Sequence, residues 1–140
     1  MIVAAKAKRM IVDRRLASSY MAKAGQFLKT AERAAAEAEH DAAMLNAIHA
    51  AISAADAVTI ALAAVRSTDP DHQRAADLLQ EVAGASGEIR GQVGRLRRLL
   101  SSKNLVEYEA RRVKAAESLE ALKRASRFVA WARDVTASSP

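Results

Sequence analysis

From about Asp13 to Glu39, Leu16, Tyr20, Ala24, Phe27, Leu28, Ala31 and Ala35 recur at steps of three and four, the stripe of an amphipathic helix. Lys23, Lys29, Glu32 and Arg33 fall mostly off that stripe. His40-Asp41 marks a break, with Asp41 suited to cap a second helix that runs to about Arg66. There Leu45, Ile48, Ile52, Val58, Ile60, Leu62 and Val65 stand among alanines on every side. A helix apolar all round belongs in the middle of a bundle. Ser67-Thr68-Asp69-Pro70 reads as a loop and helix start, with Pro70 in the first turn of a short third helix ending near Val82. Gly84 to Gly87 closes it. A fourth helix, about Glu88 to Ser102, carries the stripe Ile89, Val93, Leu96 and Leu100. Ser101 to Ala110 reads as a polar connector. A fifth helix, about Arg111 to Thr136, packs through Leu119, Leu122, Ala125, Phe128, Val129 and Ala132.

These elements predict an all-α fold, an antiparallel four- to five-helix bundle. At 140 residues the chain holds one domain, expected over 13–136. Residues 1–12 are expected to form an N-terminal extension that frays or prolongs the first helix, and 137–140 a disordered tail. Alanine, 34 residues of it, favours helices but buries little apolar area per side chain, so a homodimer is expected. Five Gly and two Pro are too few for a many-turned β-sandwich. The absence of Cys removes disulfides, thiolate metal sites and a cysteine nucleophile. No apolar run reaches the roughly 18 residues of a membrane span, and Met1 to Met10 has no signal-peptide core. The expectation is a cytoplasmic protein without a membrane partner.

Charge changes the picture. The net charge is +6, and residues 90–114 alone hold eight basic residues against two acidic ones. Arg95, Arg97, Arg98 and Lys103, with Asn104 and Tyr108 beside them, are therefore candidate binding residues, because a concentrated positive patch attracts phosphate. The competing reading is a solvated flank of a core stripe, with Tyr108 anchoring the connector through its ring. His49 and Asp56 lie seven apart on the central helix, hence on one face. An acid there needs a partner, expected from the fourth helix, the connector or Tyr108. Asp56, His49 and His72 are the candidate organisers of a pocket. Three scattered His supply no metal-ligand spacing, and the glycines fit no nucleotide-binding fingerprint, so no metal and no cofactor are expected.

Five strings in order carry a resemblance: Tyr20-x3-Ala24-x2-Phe27-Leu28-x2-Ala31, Asn46 to Ala57, Asp71 to Leu79, Arg97 to Glu109, and Ala125-Ser126-Arg127-Phe128-Val129. Together, from about Leu16 to Asp134, they resemble the HEPN family, helical domains named for nucleotide binding in higher eukaryotes and prokaryotes. The resemblance implies four or five helices and a homodimer. It also implies a setting in which many members are ribonuclease toxins or defence effectors beside a small nucleotidyltransferase-like antitoxin. Those ribonucleases carry Arg, four to six residues, then His near the start of a late helix, and cut RNA through the 2′-hydroxyl without metal. In this sequence Arg98 is followed by Asn104 and Arg97 by Lys103, so the late helix has no His. Asn cannot carry the proton. Arg33 with His40 and Arg66 with His72 match the spacing elsewhere.

Three readings follow. The first is a non-catalytic HEPN-like protein binding RNA, a nucleotide or a protein partner through the basic connector, in a toxin–antitoxin or stress setting. The second is an active metal-independent ribonuclease toxin. The third is a purely structural helical interaction module.

Overall fold

The computed structural model describes residues 8–139. α1 (Ala17–Ala36) and α2 (His40–Ala63) form a helical hairpin, joined by residues 37–39 with Ala38 in the left-handed region at φ 58°. α3 (Gln73–Ala83), α4 (Gly87–Ser101), α5 (Lys103–Tyr108) and α6 (Ala115–Ser138) complete the bundle. α2 sits in the middle and packs against every other helix. Its alanines make this possible: Ala43, Ala47, Ala50, Ala51, Ala54 and Ala57 are all fully buried, so neighbouring helices approach closely. Ile48, Leu79, Leu96, Leu99, Phe128 and Val129 fill the core between them. Trp131 is buried too, its ring 5.6 Å from that of Phe128. By length and composition α2 could cross a membrane, but it is mostly buried within the bundle, as a core helix is.

The architecture is the all-helical one expected, with α3 starting at Gln73, beyond Pro70, and three further local differences. The first is a two-stranded antiparallel ribbon. β1 (Arg9–Ile11) pairs with β2 (Val65–Ser67) in the register Arg9–Ser67, Met10–Arg66 and Ile11–Val65. Residues 8–12 are thus an ordered strand and its flanks rather than a frayed extension; residues 1–7 lie outside the described part. Ala64, left-handed at φ 56°, turns the chain out of α2, and its carbonyl accepts from the Val12 N–H at 2.8 Å. A short 3-10 helix, Arg14–Leu16, then leads into α1, capped by the Asp13 carboxylate.

The second difference is in the expected connector, most of which is α5 itself, a helix of six residues. Accordingly α6 begins at Ala115 and not at Arg111. The third lies at the C-terminus. Ala137 and Ser138, expected in a disordered tail, continue α6, and Pro140 lies outside the described residues.

Candidate functional site

The Val93, Leu96, Leu99 and Leu100 side of α4 is buried, which turns Arg90, Arg95 and Arg98 outward or to the edge. None of these three has an acidic partner among the described residues. Arg97 is different. It crosses to α3, where its guanidinium meets Asp77 Oδ1 at 2.7 Å, while Gln73 Nε2 donates to the Arg97 carbonyl at 3.1 Å. Lys103 is also occupied, paired with Glu107 one turn further along α5 at 2.8 Å. Of the four cations singled out in the sequence, two are therefore tied into the fold, while Arg95 and Arg98 are not.

Arg98 stands at the mouth of a cleft of about 330 Å³ between α4 and α6. Met44, Leu99 and Ala121 form its apolar floor, and Ser102 and Arg124 join Arg98 as its polar donors. The two acids on the rim are already matched. Glu117 holds Arg111 at 2.9 Å, and Glu120 holds Arg124 at 3.5 Å. Arg98 is the unmatched charge. Sequence reasoning missed Arg124 and Ser102, since an Arg four residues after a Glu on a helix surface looks like an ordinary solvated pair.

A second cluster lies where α5 packs on α2. Its members are His49 on α2, His72 just before α3, and the Lys103–Glu107 pair. Burial lowers the pKa of both imidazoles, and the Lys103 ammonium lowers them further while Glu107 opposes it. Both rings are thus held neutral near pH 7. The Lys103 ammonium in turn holds the Glu107 carboxyl below its ordinary range. Phe27 of α1 backs His49, with 5.7 Å between ring centroids. Asn104 is exposed and makes no side-chain hydrogen bond among the described residues. Tyr108 is 78% exposed, so its ring does not anchor the connector.

Asp56 belongs to neither cluster. Its partner is not on the late helices or the connector but on β2, where Arg66 Nη1 lies 4.0 Å from Asp56 Oδ2. That guanidinium stacks over the Tyr20 ring, 5.7 Å from its centroid, and its buried Nε makes no hydrogen bond. At 4.0 Å the attraction is weak. Burial dominates and pushes the Asp56 carboxyl up to about 7. His49 and Asp56 do share a face of α2, but two turns separate them. The spaced Arg–His pairs are engaged separately as well: Arg66 faces Asp56, and His40 Nδ1 meets the buried Ser118 Oγ at 2.8 Å.

The loop into α6 is pinned from an unexpected direction. Asp41, expected as a helix cap, instead accepts from the Val113 N–H at 2.9 Å and from Arg112 Nε at 2.8 Å. These bonds hold its pKa below the ordinary range. Glu39 occupies the cap position of α2. His72 occupies that of α3 without a side-chain cap bond. Among the described residues no group of three or more His, Asp or Glu is placed to hold a metal ion.

Fold and site together define an all-helical domain built around an alanine-lined central helix, with unmatched arginines on one outer helix. The family model of the HEPN domain matches residues 17–135. The chain belongs to the HEPN domain family. No curated protein sequence matches it.

Proposed function

We propose that this HEPN domain is a non-catalytic, homodimeric member that binds RNA or a nucleotide through phosphate contacts from Arg95 and Arg98, with Arg124 and Ser102 lending donors at the cleft. The observation that carries this reading is the inequality among the α4 and α5 cations. Arg97 and Lys103 spend their charge on Asp77 and Glu107, whereas Arg95 and Arg98 keep theirs for a ligand. Guanidinium groups aimed at a phosphate backbone confer little base preference. The cytoplasm, a toxin–antitoxin or stress setting, and a nucleotidyltransferase-like partner belong to the same reading through the family.

Filter binding of a single-stranded RNA across a salt series tests it. Each phosphate contact contributes roughly 0.7 to the log–log slope, so Arg95→Ala/Arg98→Ala should flatten the dependence by about two such steps. Arg97→Ala should leave the slope nearly unchanged and lower stability instead. Absence of any salt-sensitive binding would leave the structural module.

One observation favours a second reading, a metal-independent ribonuclease. His49 and His72 are both within electrostatic reach of Lys103, and neutral imidazoles near an ammonium can move protons around a charged phosphate. RNA cleavage in the presence of a chelator, lost in both His49→Ala and His72→Ala, would establish it.

A further inference from the structure

A second concavity lies away from α4. It is a groove of about 840 Å³ between α1 and the C-terminal turns of α6, on the flank that also carries the 3-10 helix. Its lining is more apolar than polar: Met21, Ala22, Gly25 and Leu28 of α1 with Ala61 and Ala137, beside hydroxyl and amide side chains. Gly25 faces α6 closely, since a Cβ there would stand 3.4 Å from Arg133 Nη2.

The rim is basic. Arg14, Arg15, Lys29 and Arg133 line it against one acid, Glu32. Arg15 is held by Asp13 at 2.7 Å, but Arg14, Lys29 and Arg133 have no acidic partner among the described residues. An apolar floor between unmatched cations is complementary to an amphipathic helix with acidic flanks, the helix-in-groove mode of recognition. Two observations disfavour other occupants. No aromatic side chain lines the groove, so nucleobases would find nothing to stack on. A second copy of this chain seated here about a two-fold axis would set Arg14, Lys29 and Arg133 against the same cations of its partner.

We propose that this groove receives an acidic amphipathic helix of a partner protein, its apolar side chains on Ala22 and Gly25 and its carboxylates on Arg14, Lys29 and Arg133. From Ser18 to Lys29 the floor runs about 17 Å, the length of three turns of the incoming helix. The site is separate from Arg95 and Arg98 on α4, so its occupancy does not depend on the phosphate reading.

The test uses the full chain and a fluorescein-labelled synthetic peptide of about fifteen residues, with Leu at helical spacing and Glu on both flanks. Fluorescence anisotropy should show saturable binding. Ala22→Trp, which fills an exposed position on the floor, and the triple reversal Arg14→Glu/Lys29→Glu/Arg133→Glu should each weaken it by about tenfold or more. Circular dichroism verifies that both variants stay helical. Arg95→Ala/Arg98→Ala should bind the peptide like the parent, which separates this site from the phosphate site. Binding of a sequence-scrambled peptide as tight as that of the helix would overturn the proposal. So would indifference to both groove variants, no saturable binding at all, or displacement of the peptide by single-stranded RNA from the parent and the α4 variant alike.

Discussion

Asp56 is a carboxyl inside the bundle with one distant counter-charge, and this makes a quantitative prediction. Its side chain is 11% exposed, and Arg66 at 4.0 Å attracts it without a hydrogen bond. Removal from water therefore outweighs Arg66, and the folded-state pKa rises from 3.8 to about 7. A carboxyl raised on folding binds its proton more tightly in the folded state. Its contribution to stability is fully present below the unfolded pKa near 3.8 and is lost as pH rises through about 7. At about 1.4 kcal/mol per pH unit, the separation of these values amounts to roughly 4 kcal/mol across that window. The sign reverses what an acid with a strong buried partner would give. There, deleting the acid strands a cation and destabilises; here, ionised Asp56 is itself the cost.

Asp56→Asn keeps the shape and removes the titration. Near pH 4 the variant and the parent should be almost equally stable, the gap should open steadily toward pH 7, and at pH 8.5 the variant should be more stable by about 2–4 kcal/mol, the lower figure allowing for Arg66's lost counter-charge. Urea unfolding followed by circular dichroism, from pH 4 to 8.5, measures this directly. His49 and His72 titrate in the same range with the opposite sign, because a depressed imidazole pKa adds stability as pH rises. Their effect is common to both proteins, so the difference between the two curves isolates Asp56. Parallel curves, or a variant less stable at pH 8.5, would refute the reasoning.

Further outcomes follow from single contacts. Ala38→Gly and Ala64→Gly relieve left-handed backbone at the ends of α1 and α2, and each should raise stability by about 0.5–1 kcal/mol in urea unfolding. Asp41→Asn weakens the acceptor for the Val113 N–H and Arg112, and should cost about 1 kcal/mol at pH 7. Because the Asp41 pKa is depressed, that cost should vanish as pH falls through the carboxylate range. Ala54→Leu places an isobutyl group where a fully buried methyl stands against neighbouring helices, and should lower stability by about 1–3 kcal/mol in the same assay.

What the sequence revealed of this bundle is the part that depends on periodicity. α2 is apolar all round because it touches every other helix, and that is visible residue by residue. The boundaries that escaped share a cause: short-range geometry supplied by residues with no distinctive pattern. Ala64 ends α2 in a conformation usually marked by Gly, and nothing in Ala-Leu-Ala-Ala-Val announces it. β1 and β2 have three residues each, too few for alternation to register, and they pair across more than fifty intervening residues. Asp69 and Asp71 compete for the start of α3. The Asp71 N–H bonds Asp69, Asp71 in turn accepts from the Gln73 N–H at 3.0 Å, and the helix begins beyond Pro70.

The site shows the same division between what is local and what is not. Spacing puts Arg95 and Arg98 on one side of the α4 stripe and Arg97 on the other, and the structure keeps that separation. What spacing cannot supply is the partner. Asp77 reaches Arg97 from twenty residues away, and Arg66 reaches Asp56 from the strand just after α2. A run of positive charge counts its members equally, whereas a fold spends some and leaves others. Arg97 then serves the α3–α4 contact, Lys103 the α5 turn, and Arg66 a buried acid. The phosphate-binding capacity of the α4–α5 face therefore rests on fewer side chains than its composition suggests. Another share of the chain's positive charge, Arg14, Lys29 and Arg133, is gathered from segments far apart in sequence onto a groove that no charge run in the sequence marks.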